Sequence, residues 1–221
     1  MSAATATHDD LAHTEVEAYD LVPDEAPAGG ARPRVLLVGT ALAGGAIITF
    51  FAGLIGLYLS VRQGVIASAP ADERATAWLA DGNPIPLTPA NMAFGTLLLS
   101  CVTMQWAVDS VRRNDRRNAY FALVMTILFG GAVINATAFL YQQAGLPIAG
   151  PSPSGLLFYA VTGAHLALIV GALVFAGLMT VRTLGGEYAG RDREGIVAAS
   201  VIWYLTTAIF GVIWYAVYVT K

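Results

Sequence analysis

Residues 118–181 read NAYFALVMTILFGGAVINATAFLYQQAGLPIAGPSPSGLLFYAVTGAHLALIVGALVFAGLMTV, without one Asp, Glu, Lys or Arg. As a single α-helix the segment would measure about 96 Å at 1.5 Å per residue, against a bilayer hydrocarbon core of about 30 Å. It must therefore break, and the breakers cluster in one place: Gly145, Pro147, Gly150, Pro151, Pro153 and Gly155. The outcome is two apolar helices, predicted over 118–143 and 154–181, each long enough to cross a bilayer. A chain that commits this much sequence to uncharged helix is an integral membrane protein.

The same pattern extends in both directions. Charge-free stretches over 35–61, 89–111 (interrupted only by Asp109) and 195–219 predict three further spans, for five in all. Pro84, Pro86 and Pro89 precede the second span, and proline is tolerated in the first turn of a helix, so that span is predicted to begin near Pro89. Arg62 to Asp81 is expected as a polar loop, and Arg112, Arg113, Asp115, Arg116 and Arg117 as a charged turn. Over the whole chain 56% of residues are hydrophobic and 12% charged, about half the charge of an ordinary soluble domain. A net charge of −3 argues against a nucleic-acid partner. The fold class is thus an all-α membrane bundle of five transmembrane helices.

Residues 1–34 differ in kind. They hold Asp9, Asp10, Glu15, Glu17, Asp20, Asp24 and Glu25 among prolines and glycines, and predict a disordered acidic tail in which His8 and His13 are solvated. The domain proper is 35–221. Arginine placement orients it. Arg32, Arg34, Arg112, Arg113, Arg116, Arg117, Arg182, Arg191 and Arg193 fall on one side, and only Arg62, Arg74 and Lys221 on the other. The positive-inside rule then predicts a cytoplasmic N-terminus and a C-terminus outside.

The side chains within the spans limit the chemistry. His165 is the one histidine there, and Cys101 the one cysteine of the chain. A bis-histidine haem needs two such ligands, and a copper or di-iron centre three or more. A proton-coupled transporter keeps a carboxylate or histidine relay at membrane depth. The expectation is a chain with no catalytic centre, no cofactor-binding residue and no metal ligand of its own. Amides and hydroxyls such as Asn91, Ser100, Thr103, Gln105, Asn135 and Thr206 are read as bridges between helices. Trp203, Tyr204, Trp214, Tyr215 and Tyr218 are expected to include members of an interfacial aromatic belt, with helix packing the default reading of all of them.

Several short motifs lie at matching places along these spans. The first span carries Phe50-Phe51-Ala52-Gly53-Leu54 and then Tyr58; the second carries Ser100-Cys101-Val102-Thr103. The third ends on Gln142-Gln143, the fourth opens Phe158-Tyr159-Ala160-Val161-Thr162-Gly163-Ala164-His165, and the fifth has Trp203 and a tyrosine-rich end. Together they resemble subunit III of the haem–copper oxidases, the cytochrome c oxidase type, in a short five-helix and divergent form. The pattern departs from the family at its ionisable positions. Ile47 stands where the family has a membrane glutamate, and Leu168 where it has a second histidine. Tyr204 and Thr207 replace a histidine and an aspartate of the last span.

The resemblance implies a non-catalytic subunit III of a respiratory terminal oxidase that reduces oxygen. Haem and copper would sit in partner subunits, catalytic subunit I and subunit II, and cytochrome c would be reached only through those chains. Phospholipid would be held against the helices. His165, Thr162, Gln142 and Trp203 are the polar positions expected to touch lipid or a neighbouring helix. One lysine against eleven arginines points to a GC-rich bacterial genome and hence a bacterial plasma membrane. The alternatives are a subunit-III-like partner of a quinol oxidase or nitric oxide reductase, and a small transporter or channel. Ile47 yields a direct test, because an isolated charge at membrane depth costs at least ~2.5 kcal/mol. Ile47→Val should leave complex yield and oxygen turnover near wild type, while Ile47→Glu should lower the yield. A Glu variant that assembles well and turns over faster would mean that this face is polar and wet.

Overall fold

The computed structural model describes residues 35–79, 85–149, 152–185 and 193–220. The predicted tail over 1–34 lies outside them, as do Arg191 and Lys221. Five helices follow in order: α1 Val35–Ser68, α2 Leu87–Arg112, α3 Arg116–Ala144, α4 Ser154–Leu184 and α5 Glu194–Ile213, the last continued by a π-helical turn Trp214–Val219. All five are long and apolar enough to cross a membrane. The multi-pass, all-helical class read from the sequence is therefore the observed one.

The boundaries show where charge patterning misleads. α1 does not stop at residue 61 but continues through Arg62 to Ser68. A polar residue does not break a helix. Pro70 does, because it disfavours helical backbone at the residue before it. α2 starts at Leu87 rather than Pro89, directly after Pro86, with Pro89 in the first turn where no amide is needed. α3 gains its first turn from Asp115, whose carboxylate accepts from the Asn118 amide at 3.1 Å. Asn114 turns the chain between α2 and α3 in the left-handed region at φ 57°, which asparagine tolerates better than most residues. The last span is not α-helical to its end; in the π-turn the Thr220 amide reaches Tyr215 O at 3.1 Å, five residues back.

Packing is organised around α5, which meets α1, α2 and α4. α2 and α3 form a close antiparallel pair, and α3 packs on α4. One core cluster, at the end bearing the arginine turn, includes Leu97, Met104, Leu123, Ile169, Ile196 and Trp203. The second, toward the opposite end, includes Phe51, Ile55, Tyr58, Trp78, Phe158 and Tyr218. Ile47 lies half-buried against this second cluster. The expected polar loop after α1 is not wholly polar: Trp78 folds back into the bundle, its ring edge-on to Tyr58 at 5.4 Å, and donates from Nε1 to the Tyr58 hydroxyl at 3.2 Å.

α1 and α5 run parallel and are tied at both ends. At one end the Glu194 carboxylate accepts from the Leu37 amide at 2.7 Å. At the other Arg62 donates to the hydroxyl of Thr220 at 3.2 Å and also to its carbonyl. Glu194 opens α5 and satisfies an early amide of α1, so one negative charge faces two positive helix ends.

A single glycine sets how closely α3, α4 and α5 approach. A Cβ on Gly130 would lie 2.5 Å from Leu173 Cδ2 and 2.8 Å from Trp203 Cη2. On neighbouring Gly131 it would meet nothing. Gly130→Ala should therefore destabilise by about 1–3 kcal/mol, the usual penalty of overpacking, while Gly131→Ala should be neutral. Thermal unfolding of both variants in the same detergent checks the contrast.

Candidate functional site

Several polar side chains of the spans meet at α5. Trp203 is 1% exposed and donates from Nε1 to Ser100 Oγ of α2 at 2.9 Å. Ser100 uses its own hydrogen on Leu97 O at 2.6 Å, so both of its bonds are made. One turn along α5, Thr207 donates to Trp203 O at 3.1 Å and accepts from the Cys101 thiol at 3.2 Å. Tyr204 donates to Gln105 Oε1 at 2.8 Å, and the Gln105 amide nitrogen reaches Asp109 at 3.3 Å. Between α2 and α3 the hydroxyls of Thr103 and Thr126 lie 2.7 Å apart.

His165 of α4 is 2% exposed. Its Nε2 lies 3.0 Å from the carbonyl oxygen of Thr206 on α5. A carbonyl only accepts, so Nε2 carries the hydrogen and the ring is the Nε2–H tautomer. Phe210 and Phe51 flank the ring at centroid distances of 5.1 and 6.2 Å. Thr162, three residues earlier and on the same helix face, donates to Phe158 O at 2.7 Å and accepts from the Tyr141 hydroxyl at 2.9 Å. Among the described residues no group of three or more His, Cys, Asp and Glu is arranged to hold a metal ion.

Of the four positions singled out from the sequence, the structure brings His165 and Thr162 to one small cavity between α2, α3, α4 and α5. It puts Trp203 in the other core cluster and leaves Gln142 exposed near the end of α3. The aromatics of the last span divide: Trp203 and Tyr218 are core residues that pack between helices, whereas Tyr215 is 61% exposed. A periodic aromatic near a helix end reads the same whichever way it faces, so the sequence did not separate them. Ser100 bridges two helices as read from the sequence, with Trp203 as its partner. The structural roles of Glu194 and Arg62 were missed, and of these Glu194 carried a signal, an acid in the first turn of a helix.

Two grooves open on the outer surface of the bundle. One, of about 590 Å³, runs from Cys101, Val102 and Trp106 up to Asp109, Arg113 and Asn118, with Tyr204 at its side. The other, of about 650 Å³, lies between α2 and α3 and is lined by Met92, Ala132, Asn135 and Phe139 among others.

These features define a class first: a multi-pass membrane protein of five spanning helices, joined inside by uncharged hydrogen-bonded pairs. Residues 45–221 match the model of the family described as cytochrome c oxidase subunit III, and the chain belongs to that family. It is 32% identical over 157 residues to cytochrome c oxidase subunit 3 of Xenopus laevis, covering 69% of this chain and 57% of that one. The corresponding protein of Coturnix japonica is 30% identical over 155 residues, covering 68% and 58%. That of Strongylocentrotus purpuratus is 28% identical over 156 residues, with the same coverage. The chain thus spans less than two thirds of the length of the relatives it matches. The family resemblance read from the motifs is borne out, and the low identities agree with a divergent member.

The Trp203–Ser100 bond generates a test. Ser100→Ala leaves the buried indole N–H without its acceptor, which should cost about 1–3 kcal/mol. Tyr204→Phe removes a bond at the exposed edge and should cost about 0.6 kcal/mol, the average for such bonds in membranes. Thermal unfolding of the two variants should rank them in that order.

Proposed function

We propose that this chain is the non-catalytic subunit III of a respiratory terminal oxidase of the cytochrome c type, which reduces oxygen in aerobic electron transport. The observation that carries the reading is the family match over 45–221, which takes in all of α2 to α5 and most of α1. In this reading the chain packs against catalytic subunit I and subunit II, which hold the haem and copper, and meets cytochrome c only through them. Its N-terminus faces the cytoplasm of a bacterial cell and its C-terminus the outside, an orientation supported by the arginine asymmetry.

Phospholipid is the second partner in this reading. The groove beside Tyr204 suits it, because apolar Val102 and Trp106 lie below a rim of Asp109, Arg113 and Asn118. A lipid lying there would place its acyl chain on the former and a zwitterionic headgroup on the latter. His165, Thr162 and Trp203 serve as contacts between helices, and Gln142 faces outward.

The test is purification of the full chain in mild detergent from its native membrane. The expected result is a stoichiometric partner with haem and copper spectra, and a preparation that consumes oxygen with reduced cytochrome c. The chain separated from that partner should show no stoichiometric Soret band. Purification without a metal-bearing partner would overturn the reading, and activity with quinol alone would move it to another oxidase class.

A further inference from the structure

Tyr218 lies on the π-helical turn that ends the last span, and is 2% exposed. Among the described residues its hydroxyl meets no hydrogen-bond partner, although the neighbouring Trp214 and Thr220 side chains both do. A hydroxyl left in this condition is destabilising unless something else takes its hydrogen. Tyr218 borders a small, largely enclosed cavity of about 10 Å³ that His165 and Thr162 also line. A site needs about 10–15 Å³ by this measure, and two to four polar partners, to hold one water. The cavity meets the lower limit of size.

The hydrogen-bond inventory around it is complementary. His165 gives its Nε2 hydrogen to Thr206 O, which leaves Nδ1 as a bare acceptor in need of a donor. Thr162 Oγ spends its hydrogen on Phe158 O and accepts one bond from Tyr141, so a second lone pair stays open. Tyr218 offers a hydrogen in need of an acceptor. A direct pairing of these groups is not made, yet all three border one water-sized space.

The geometry points to a binding site for a single water molecule among Tyr218, His165 and Thr162, with the water accepting from Tyr218 and donating to His165 Nδ1 and Thr162 Oγ. The bridge joins α4 to the π-turn of α5, and through Tyr141 it reaches α3. It also gives the π-turn a role. The wider turn changes the angular position of residue 218 relative to a continued α-helix, and the side chain so placed is the one with the unused hydroxyl. The site is a structural link of neutral groups and does not depend on the proposed oxidase role.

A structure of the full chain in lipid, with whatever it co-purifies with, should show one ordered density within hydrogen-bond distance of the Tyr218 hydroxyl and His165 Nδ1. Tyr218→Phe should remove that density and lower the thermal midpoint by a few degrees. The sign of the shift is diagnostic. In a dry cavity the same substitution deletes an unpaired hydroxyl and raises the midpoint. An empty wild-type cavity, a density that persists in Tyr218→Phe, or an unchanged or raised midpoint would overturn the proposal. Should the variant fail to assemble, the wild-type density decides alone.

Discussion

The seat of Trp203 is the constraint on which the bundle depends. Its indole is too large to sit between helices unless one of them gives up a side chain, and Gly130 of α3 does so. Its N–H must be satisfied in a place water does not reach, and Ser100 of α2 accepts it. Lipid tails are as apolar as leucine, so helices in a bilayer gain little from burying apolar surface against each other. Close packing and hydrogen bonds decide association instead. Trp203 supplies both at once to α2, α3 and α5, while Leu173 brings α4 to the same glycine. Other cross-helix bonds follow along the same span, Thr207 to Cys101 one turn on and Trp214 to Asn91 about two turns beyond that.

α1 is held by a different device. Fewer of its residues are buried than of any other span, and its contacts with α5 are fixed at the two ends. The Glu194 carboxylate lies at the N-terminal ends of α1 and α5 together, where the helix dipoles favour negative charge. Arg62 answers at the far end by binding the last carbonyl and hydroxyl of the π-turn. Charges at the ends can do this because the headgroup region solvates what the hydrocarbon would not. The outward face of α1 is consequently free of structural duty within the chain.

The number of helices and their approximate limits were legible because they follow from two simple rules. Charge is expelled from the hydrocarbon, and proline or glycine must break an apolar run longer than the bilayer is thick. The limits failed where a charged residue was taken for a boundary, as at Arg62, whose guanidinium is occupied inside the fold. The site was legible only as residue types. His165, Thr162 and Trp203 stood out as polar or amphipathic groups in apolar helices, but their partners sit at Thr206, Tyr141 and Ser100. No local pattern links residues separated by 103 positions. The inward direction of Tyr218 depends on a π-turn that its sequence does not announce.

The departures from the family pattern are paired in space. Tyr204 and Thr207 occupy positions where the family resemblance would put a histidine and an aspartate, and each bonds a residue of α2, Gln105 and Cys101 respectively. Exchanging one member of an ionic pair for a neutral group would strand the other charge in a low-dielectric interior, at a cost of about 3–5 kcal/mol. A neutral hydroxyl can be introduced without that penalty only if its neighbours are neutral too. Cys101 beside Thr207 meets the condition directly, and Gln105 beside Tyr204 does so as a neutral amide that in turn reaches Asp109. Along the α2–α5 contact, therefore, Tyr204 and Thr207 each meet an uncharged side chain of α2. A carboxylate restored at Thr207 would enter a setting of hydroxyl and thiol groups, whereas one at Tyr204 would lie in the groove that Asp109 and Arg113 also line. The same logic applies at Ile47, which packs half-buried against the apolar cluster that includes Phe51 and Ile55.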